Sequence, residues 1–271
     1  MTGALYVVST PIGNLEDITQ RALRVLKAVG IIAAEDTRHT KQLCNHFGIP
    51  TALTSYHDFN KEEKTPVLLE RLRSGVDVAL VSDAGTPVIS DPGYFLINHC
   101  IHADISVVPV PGPSAVFGAL AASGLPSDVF RFEGFLPRKA GARAKRIDDF
   151  RDAHGSVIIF ESPHRLEQLL IALREGLGDR RAVIARELTK RFEEFQRGTL
   201  EELLKRVRDH PPKGEITVVV EGTPRKPSAS RALAKTAKSG SNAWREEDAT
   251  TDEADSSEDT IPDQKRTGGD L

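Results

Sequence analysis

Short runs rich in valine and isoleucine alternate with segments of helical periodicity along most of the chain, and that alternation restricts the fold more than any other feature. The first runs are LYVVS at 5–9, IIAA at 31–34, VALVS at 78–82 and SVVPV at 106–110. Between the first two, Ile18, Ala22, Val25, Leu26 and Val29 recur at helical spacing, so this segment buries one face. Apolar strands separated by amphipathic helices are the βαβ rhythm of a parallel sheet covered on both sides. After the Pro-Gly-Pro punctuation at Pro111 to Pro113, a second set follows: SVIIF at 156–160, AVIARE at 182–187 and EITVVVE at 215–221. A chain of 271 residues is long enough for two small domains or one large one, near the size at which a single core stops growing. The reading is therefore an α/β protein of two lobes, 1–111 and 112–222.

Beyond Gly222 the composition turns to Ala, Ser, Thr, Asp and Glu with almost no apolar periodicity, so 223–271 is expected to be a disordered charged tail. Its charges are segregated: Arg225, Lys226, Arg231, Lys235, Lys238 and Arg245 come first, then nine acids from Glu246 to Asp263. A solvated linker and an RNA tether are both open readings.

The remaining bulk properties exclude several classes. Hydrophobic residues at 39% and charged residues at 28% are globular proportions. No apolar run reaches the roughly 20 residues of a membrane span, and the start lacks a basic region before its short apolar stretch. A cytoplasmic protein is expected. Cys44 and Cys100 offer neither a disulfide framework nor zinc spacing, and read as buried apolar residues in a reducing compartment. No metal is expected. A formal net charge of −3 means that any nucleic-acid contact must come from a local patch. PRKAGARAKRI supplies one, with Arg138, Lys139, Arg143, Lys145 and Arg146 and no acid among them. A solvated helix face is the alternative.

Ligands of parallel α/β lobes bind at the carboxyl ends of strands, and three loops there are unusual. The first, STPIGNLEDIT, turns on Pro11 and Gly13 and delivers Asp17 and Thr19 to a helix start; it lacks the glycine and lysine signatures of nucleotide-phosphate loops. The second, SDAGTPVISDPG, carries glycines, prolines, Asp83 and Asp91, so it is long and shaped. Its carboxylates suit hydroxyls, an ammonium or a sulfonium environment, or else turn formation. The third, PVPGPSAV, opens a helix at Ser114, whose hydroxyl suits capping and ligand contact equally. Further on, Glu161, His164, Arg165, Arg186, Glu187 and Lys190 are placed to converge on the seam between the lobes, or to form surface ion pairs.

The ordered strings TPIGNLEDIT, AEDTRHT, SDAGTPVISDPG, VPGPSA, EGFLPRK, FESPHR, ARELTK and KGEITVVVEG resemble those of the small-subunit ribosomal RNA methyltransferase I branch of the tetrapyrrole methylases, from about Leu5 to Gly222. The resemblance implies a parallel-sheet N-terminal lobe, a mixed-sheet C-terminal lobe and a homodimer. It also implies S-adenosyl-L-methionine between the lobes and 2′-O-methylation of a decoding-centre cytidine in 16S rRNA. Carried over, the cofactor residues are Pro11, Gly13, Asp83, Gly85, Thr86, Ile89, Ser90, Ser114 and Ala115. Thr86 stands where the superfamily has an acid, so that role shifts to Asp83 or lapses. The general base is open among Glu35, Asp36, Glu187 and Lys190, and a neutral lysine requires a pKa lowered by burial. Family members often continue into a small helical domain where this chain has its charged tail, so RNA contacts of that domain are not carried over. A tetrapyrrole methylase and a ribosome-binding protein without catalysis are the rival readings.

Overall fold

The computed structural model of the chain describes residues 2–223. The segregated charges from Arg225 onward, and the disorder expected of them, lie outside the described residues.

Five strands form the first sheet: β1 (Leu5–Val8), β2 (Ile31–Ala34), β3 (Leu53–Ser55), β4 (Val78–Val81) and β5 (Val107–Val110). Their order is β3-β2-β4-β1-β5, and every pairing is parallel. Because successive strand residues point to opposite faces, the apolar runs feed two cores. On one face Leu5, Ala33, Val78 and Leu80 pack with Leu68, Leu72, Leu96 and Cys100 of α3 (Lys61–Arg73) and α4 (Tyr94–His102). On the other, Val8, Ile32, Ala79 and Val81 meet Ala22, Leu26 and Cys44 of α1 (Gln20–Ala28) and α2 (Thr37–Phe47). Both cysteines are free and buried, and burial pushes the Cys100 thiol up to about 11.

The second sheet contains β6 (Phe130–Phe135), β7 (Ser156–Glu161), β8 (Arg181–Arg186), β9 (Glu194–Thr199) and β10 (Ile216–Glu221) in the order β6-β7-β10-β8-β9. It is mixed: β6 runs parallel to β7, and the other pairs are antiparallel. α5 (Ala115–Ser123) covers one face through Val116, Ala119 and Leu120. α6 (Ala140–Asp148), α7 (Leu166–Leu177) and α8 (Leu200–Asp209) build the larger core on the other face.

Seven strands lie where apolar runs predict them. The other three, β3, β6 and β9, have a common physical reason for escaping that reading. All are edge strands, and their sequences LTS, FRFEGF and EFQRGT are short or largely polar. An edge strand buries less than a central one, and polar side chains there discourage pairing with another chain. Among the described residues no helix is long and apolar enough to cross a membrane.

The strand order also gathers the unusual loops. β1 lies between β4 and β5, so the loops leaving these three strands are neighbours at one edge of the sheet.

Candidate active site

The three neighbouring loops are fastened together. Thr10 and Gly85 exchange backbone hydrogen bonds of 2.8 and 3.0 Å. The Ser9 and Thr86 hydroxyls lie 2.9 Å apart, and Thr86 Oγ1 donates a longer bond, 3.4 Å, to the Pro113 carbonyl. Glycine is required where this packing is closest: at Gly112 a Cβ would stand 2.9 Å from Ser9 Cβ. The second loop is also strained, with Val88 and Ser90 at φ of 78° and 68°, a region that β-branched residues in particular avoid.

Above this edge lies a cavity of about 380 Å³ walled by both sheets. The first contributes Gly85, Thr86, Ile89, Ser90 and Asp91, and the turn before α5 contributes Ser114 and Ala115. The second contributes Phe160, Glu161, Ala185, Leu188 and the Gly214–Thr217 entry to β10. Six of the expected cofactor residues thus share one cavity. Ser114 occupies the N-cap position of α5 but makes no capping hydrogen bond, which leaves its hydroxyl free for a ligand.

Pro11, Gly13 and Asp83 are placed differently. They line a second cavity of about 450 Å³ that shares only Ile12, Ala84 and Glu215 with the first. Thr10 pairs with Gly85 where the two loops meet, and Pro11, Gly13 and Asp83 turn to the second cavity while Gly85 faces the first.

Four residues were open as the base, and the structure separates them. Asp36 is the N-cap of α2: its carboxylate accepts from the Arg38 backbone N–H at 2.8 Å and pairs with the Arg38 guanidinium at 2.6 Å. Those hydrogen bonds hold it well below the usual carboxylate range. Glu187 accepts from the Glu215 N–H and from Lys190 Nζ, both at 2.9 Å, which lowers its pKa in that order of importance. Burial alone would lower the Lys190 pKa, but its bonds to Glu187 and Glu215 outweigh burial and raise it. Lys190 is an ammonium group, the opposite of what a lysine base requires. Glu35 is raised, first by burial and then by Asp91 and Asp83, while the Asp83 N–H donates to it at 3.4 Å. It lines neither cavity.

Glu187 and Thr189 both have left-handed backbones, φ 50° and 65°. This buckled turn carries Lys190 across to the first loop. The Asn14 N–H donates to Thr189 Oγ1 at 3.1 Å, and a Cβ at Gly13 would stand 2.4 Å from Lys190 Cγ.

Of the other residues expected at the seam, Glu161 reaches the first cavity, whereas Arg186 pairs with Glu194 at 3.2 Å. His164 and Arg165 line neither cavity. Glu161 is 3% exposed. Its Oε1 accepts from the Ser162 N–H, and Arg165 stands 3.3 Å from Oε2 as an ion pair, yet among the described residues no donor hydrogen-bonds Oε2. Residues that sequence reasoning left without a role are Phe135, Leu188 and Thr217 in the first cavity, and His39, Gln42 and His46 in the second. The strings AEDTRHT and KGEITVVVEG contain His39 and Thr217 and were the available signal.

The basic stretch needs correction. Arg143 is 8% exposed, because positions 143, 147 and 150 form the inward stripe of α6 and the turn after it. Arg146 reaches Glu133 at 2.6 Å and Asp149 at 3.6 Å. Arg146 is thus paired with one acid distant in sequence and one just beyond the stretch. Arg138, Lys139 and Lys145 are exposed and, unlike the exposed Arg146, have no ion pair among the described residues.

The sequence profile of the tetrapyrrole (corrin/porphyrin) methylases matches residues 4–204. The chain is 51% identical over 220 residues to ribosomal RNA small subunit methyltransferase I of Halalkalibacterium halodurans, spanning 81% of this chain and 76% of that one. To the protein of the same description from Vibrio cholerae it is 52% identical over 221 residues, 80% of this chain and 77% of the other. The chain belongs to the ribosomal RNA small subunit methyltransferase I branch of the tetrapyrrole methylases. Among solved structures, diphthine synthase superposes with a TM-score of 0.63 at 18% identity, over 82% of this chain and 92% of that one. Uroporphyrin-III C-methyltransferase from Thermus thermophilus, in complex with S-adenosyl homocysteine, gives 0.58 at 18% identity, over 81% and 97%. These structures share the two-lobed fold.

The Glu35 environment generates a prediction about stability. A carboxyl whose pKa rises on folding weakens the native state as pH climbs from its unfolded value through its folded one, because the native form then binds the proton more tightly than the unfolded one. Glu35→Gln removes that repelled charge. The variant should melt above the wild type at pH 7, and the gain should vanish as pH falls below the carboxylate range. Equal melting temperatures across that range would show that the repulsion is absent.

Proposed function

We propose that the chain methylates the ribose 2′-hydroxyl of a decoding-centre cytidine in 16S rRNA of the small ribosomal subunit, using S-adenosyl-L-methionine, in the cytoplasm. The observation that carries this reading is the cavity built jointly by both sheets, in a chain about half identical to named rRNA methyltransferases over four fifths of its length. Its residues fit the cofactor. The volume suits a nucleoside-sized ligand; Ile89 and Leu188 provide apolar walls; Ser114 and the free N–H groups of α5 suit a carboxylate. Glu161, buried with Oε2 lacking a hydrogen-bond donor, would face positive charge. The division at 111/112 follows the sheets, since every strand before it belongs to the first and every strand after it to the second.

When bound, S-adenosylmethionine supplies a methyl group already made electrophilic by its sulfonium centre. The chain then has to orient the acceptor and accept a proton. Orientation can remove about 7–11 kcal/mol of barrier, whereas a positioned base gives about 10²–10⁴ in rate, so positioning is the larger contribution. Asp83 is the best-placed proton acceptor. It lines the second cavity beside the shared wall, with Oδ1 anchored by the Asp36 N–H at 3.0 Å. Lys190, held as an ammonium group on the same cavity, orients the acceptor oxygen rather than deprotonating it.

The full chain, incubated with S-adenosylmethionine and unmethylated small subunits, should produce 2′-O-methylcytidine on nucleoside mass spectrometry, before and after dialysis against chelator. Methylation on a base, or none, would contradict the reading. Asp83→Asn should lower kcat by about 10² or more while cofactor affinity on calorimetry stays within about three-fold. Weakened cofactor binding with kcat intact would return Asp83 to a cofactor role.

Arg138, Lys139 and Lys145 are the RNA phosphate contacts in this reading. Lys139→Glu with Lys145→Glu should flatten the log–log salt dependence of subunit binding by roughly 0.7–0.9 per lost contact; an unchanged slope would exclude them. The chain also acts as a homodimer. Phe117 and Phe130 are 61% and 39% exposed and stack edge to face at 5.7 Å, an apolar surface that a second copy would cover. Sedimentation should give twice the chain mass, and Phe117→Glu should give the monomer; a monomeric wild type would contradict this.

A further inference from the structure

One wall of the second cavity is explained neither by the cofactor fit nor by the proton acceptor. That wall is a face of α2. His39, Gln42 and His46 follow one another at spacings of three and four, so they lie on one side of the helix. All three line the cavity, and all three are exposed. Among the described residues no hydrogen bond engages these side chains, whereas Asp36 and Arg38 just before them pair with each other at the helix start. Leu15, a large apolar residue left 39% exposed, lines the same cavity.

We propose that this cavity receives the acceptor nucleoside itself, with its base read by the His39–Gln42–His46 face of α2 and its sugar directed to the wall carrying Asp83. The inference rests on the methyltransferase reading and extends it to the base. A ribose inside folded RNA must leave its stack to reach a site at the bottom of a cleft, and an extruded base is then held by stacking and by hydrogen bonds along its Watson–Crick edge. The Gln42 carboxamide presents an acceptor and a donor side by side, which match the exocyclic amine and ring N3 of cytosine. The flanking imidazoles bring flat rings and ring N–H groups that suit the remaining carbonyl of the base. Leu15 offers the apolar surface against which a base can lie, and its exposure is what a ligand would cover. The shared wall at Ile12 and Ala84 makes this cavity the neighbour of the cofactor cavity, as transfer from one ligand to the other demands.

Two measurements on the full chain test this. In the first, cytidine is titrated into the wild-type protein, and the imidazole NMR signals of His39 and His46 are followed. Shifts at both are expected, and signals that stay fixed to saturation of the titration would overturn the proposal. This arm does not depend on catalysis, so it stands even if small subunits prove not to be methylated and the functional reading fails. In the second, the triple variant His39→Ala, Gln42→Ala, His46→Ala is compared with wild type. The expected result is a fall of about ten-fold or more in kcat/KM for small subunits, with S-adenosylmethionine affinity on calorimetry unchanged, since unpaired base-edge groups are costly in a closed site. An unchanged kcat/KM would overturn the proposal. A parallel loss of cofactor affinity would do the same, by assigning the face to the other ligand.

Discussion

The hydroxyl of Thr86 is the point on which the cleft depends. It sits 2.9 Å from the Ser9 hydroxyl and donates to the Pro113 carbonyl, so one side chain joins the loops that leave β1, β4 and β5. A hydroxyl can accept from one partner and donate to another, whereas an ionised carboxylate at this position could only accept and would leave the carbonyl unpaired. A threonine at this position therefore does what an acid could not. It is a joint in the floor of the cavity, and carboxylates line the space around it: Asp91 and Glu161 in the first cavity, Asp83 in the second and Glu215 in both.

The roof is built by a different device. The turn after β8 holds Glu187 and Thr189 in left-handed conformations that cost of order 1–3 kcal/mol each and persist only where the surroundings impose them. Here the Glu215 N–H and Lys190 both bind the Glu187 carboxylate, and Thr189 accepts from the Asn14 N–H of the first loop. Strain is exchanged for a fixed bridge between the two sheets. Lys190 keeps its charge because the same carboxylates that fix the turn surround it.

Much of this was legible in the sequence, and the exceptions have physical causes. Central strands such as VALV and ITVVVE are apolar on both faces and declare themselves, while LTS and EFQRGT sit at edges where solvent removes that signal. Gly85, Thr86, Ser114 and Ala115 share one cavity, and glycine, proline and small residues behind an apolar strand had marked their loops as shaped. Asp83 lines the second cavity, apart from Gly85 and Thr86 in the first, and a loop sequence does not reveal the side to which each residue turns. Local charge counting cannot see that the stripe carrying Arg143 turns inward, nor that Glu133 arrives from a neighbouring strand to pair with Arg146. The imidazoles of α2 gave almost no signal, since a histidine at an exposed helix position looks the same whether or not a cavity lies beside it.

The central claim is that loops of both sheets, pinned by Thr86 and by the Glu187 turn, form a single cofactor site adjoining a separate acceptor site. A crystal structure of the full chain with S-adenosylhomocysteine tests it most directly. The account predicts the ligand within the cavity lined by Thr86, Ser114, Glu161 and Thr217, leaving the space between Asp83 and His46 open. Density for the ligand against His39, Gln42 and His46, with the first cavity empty, would contradict it.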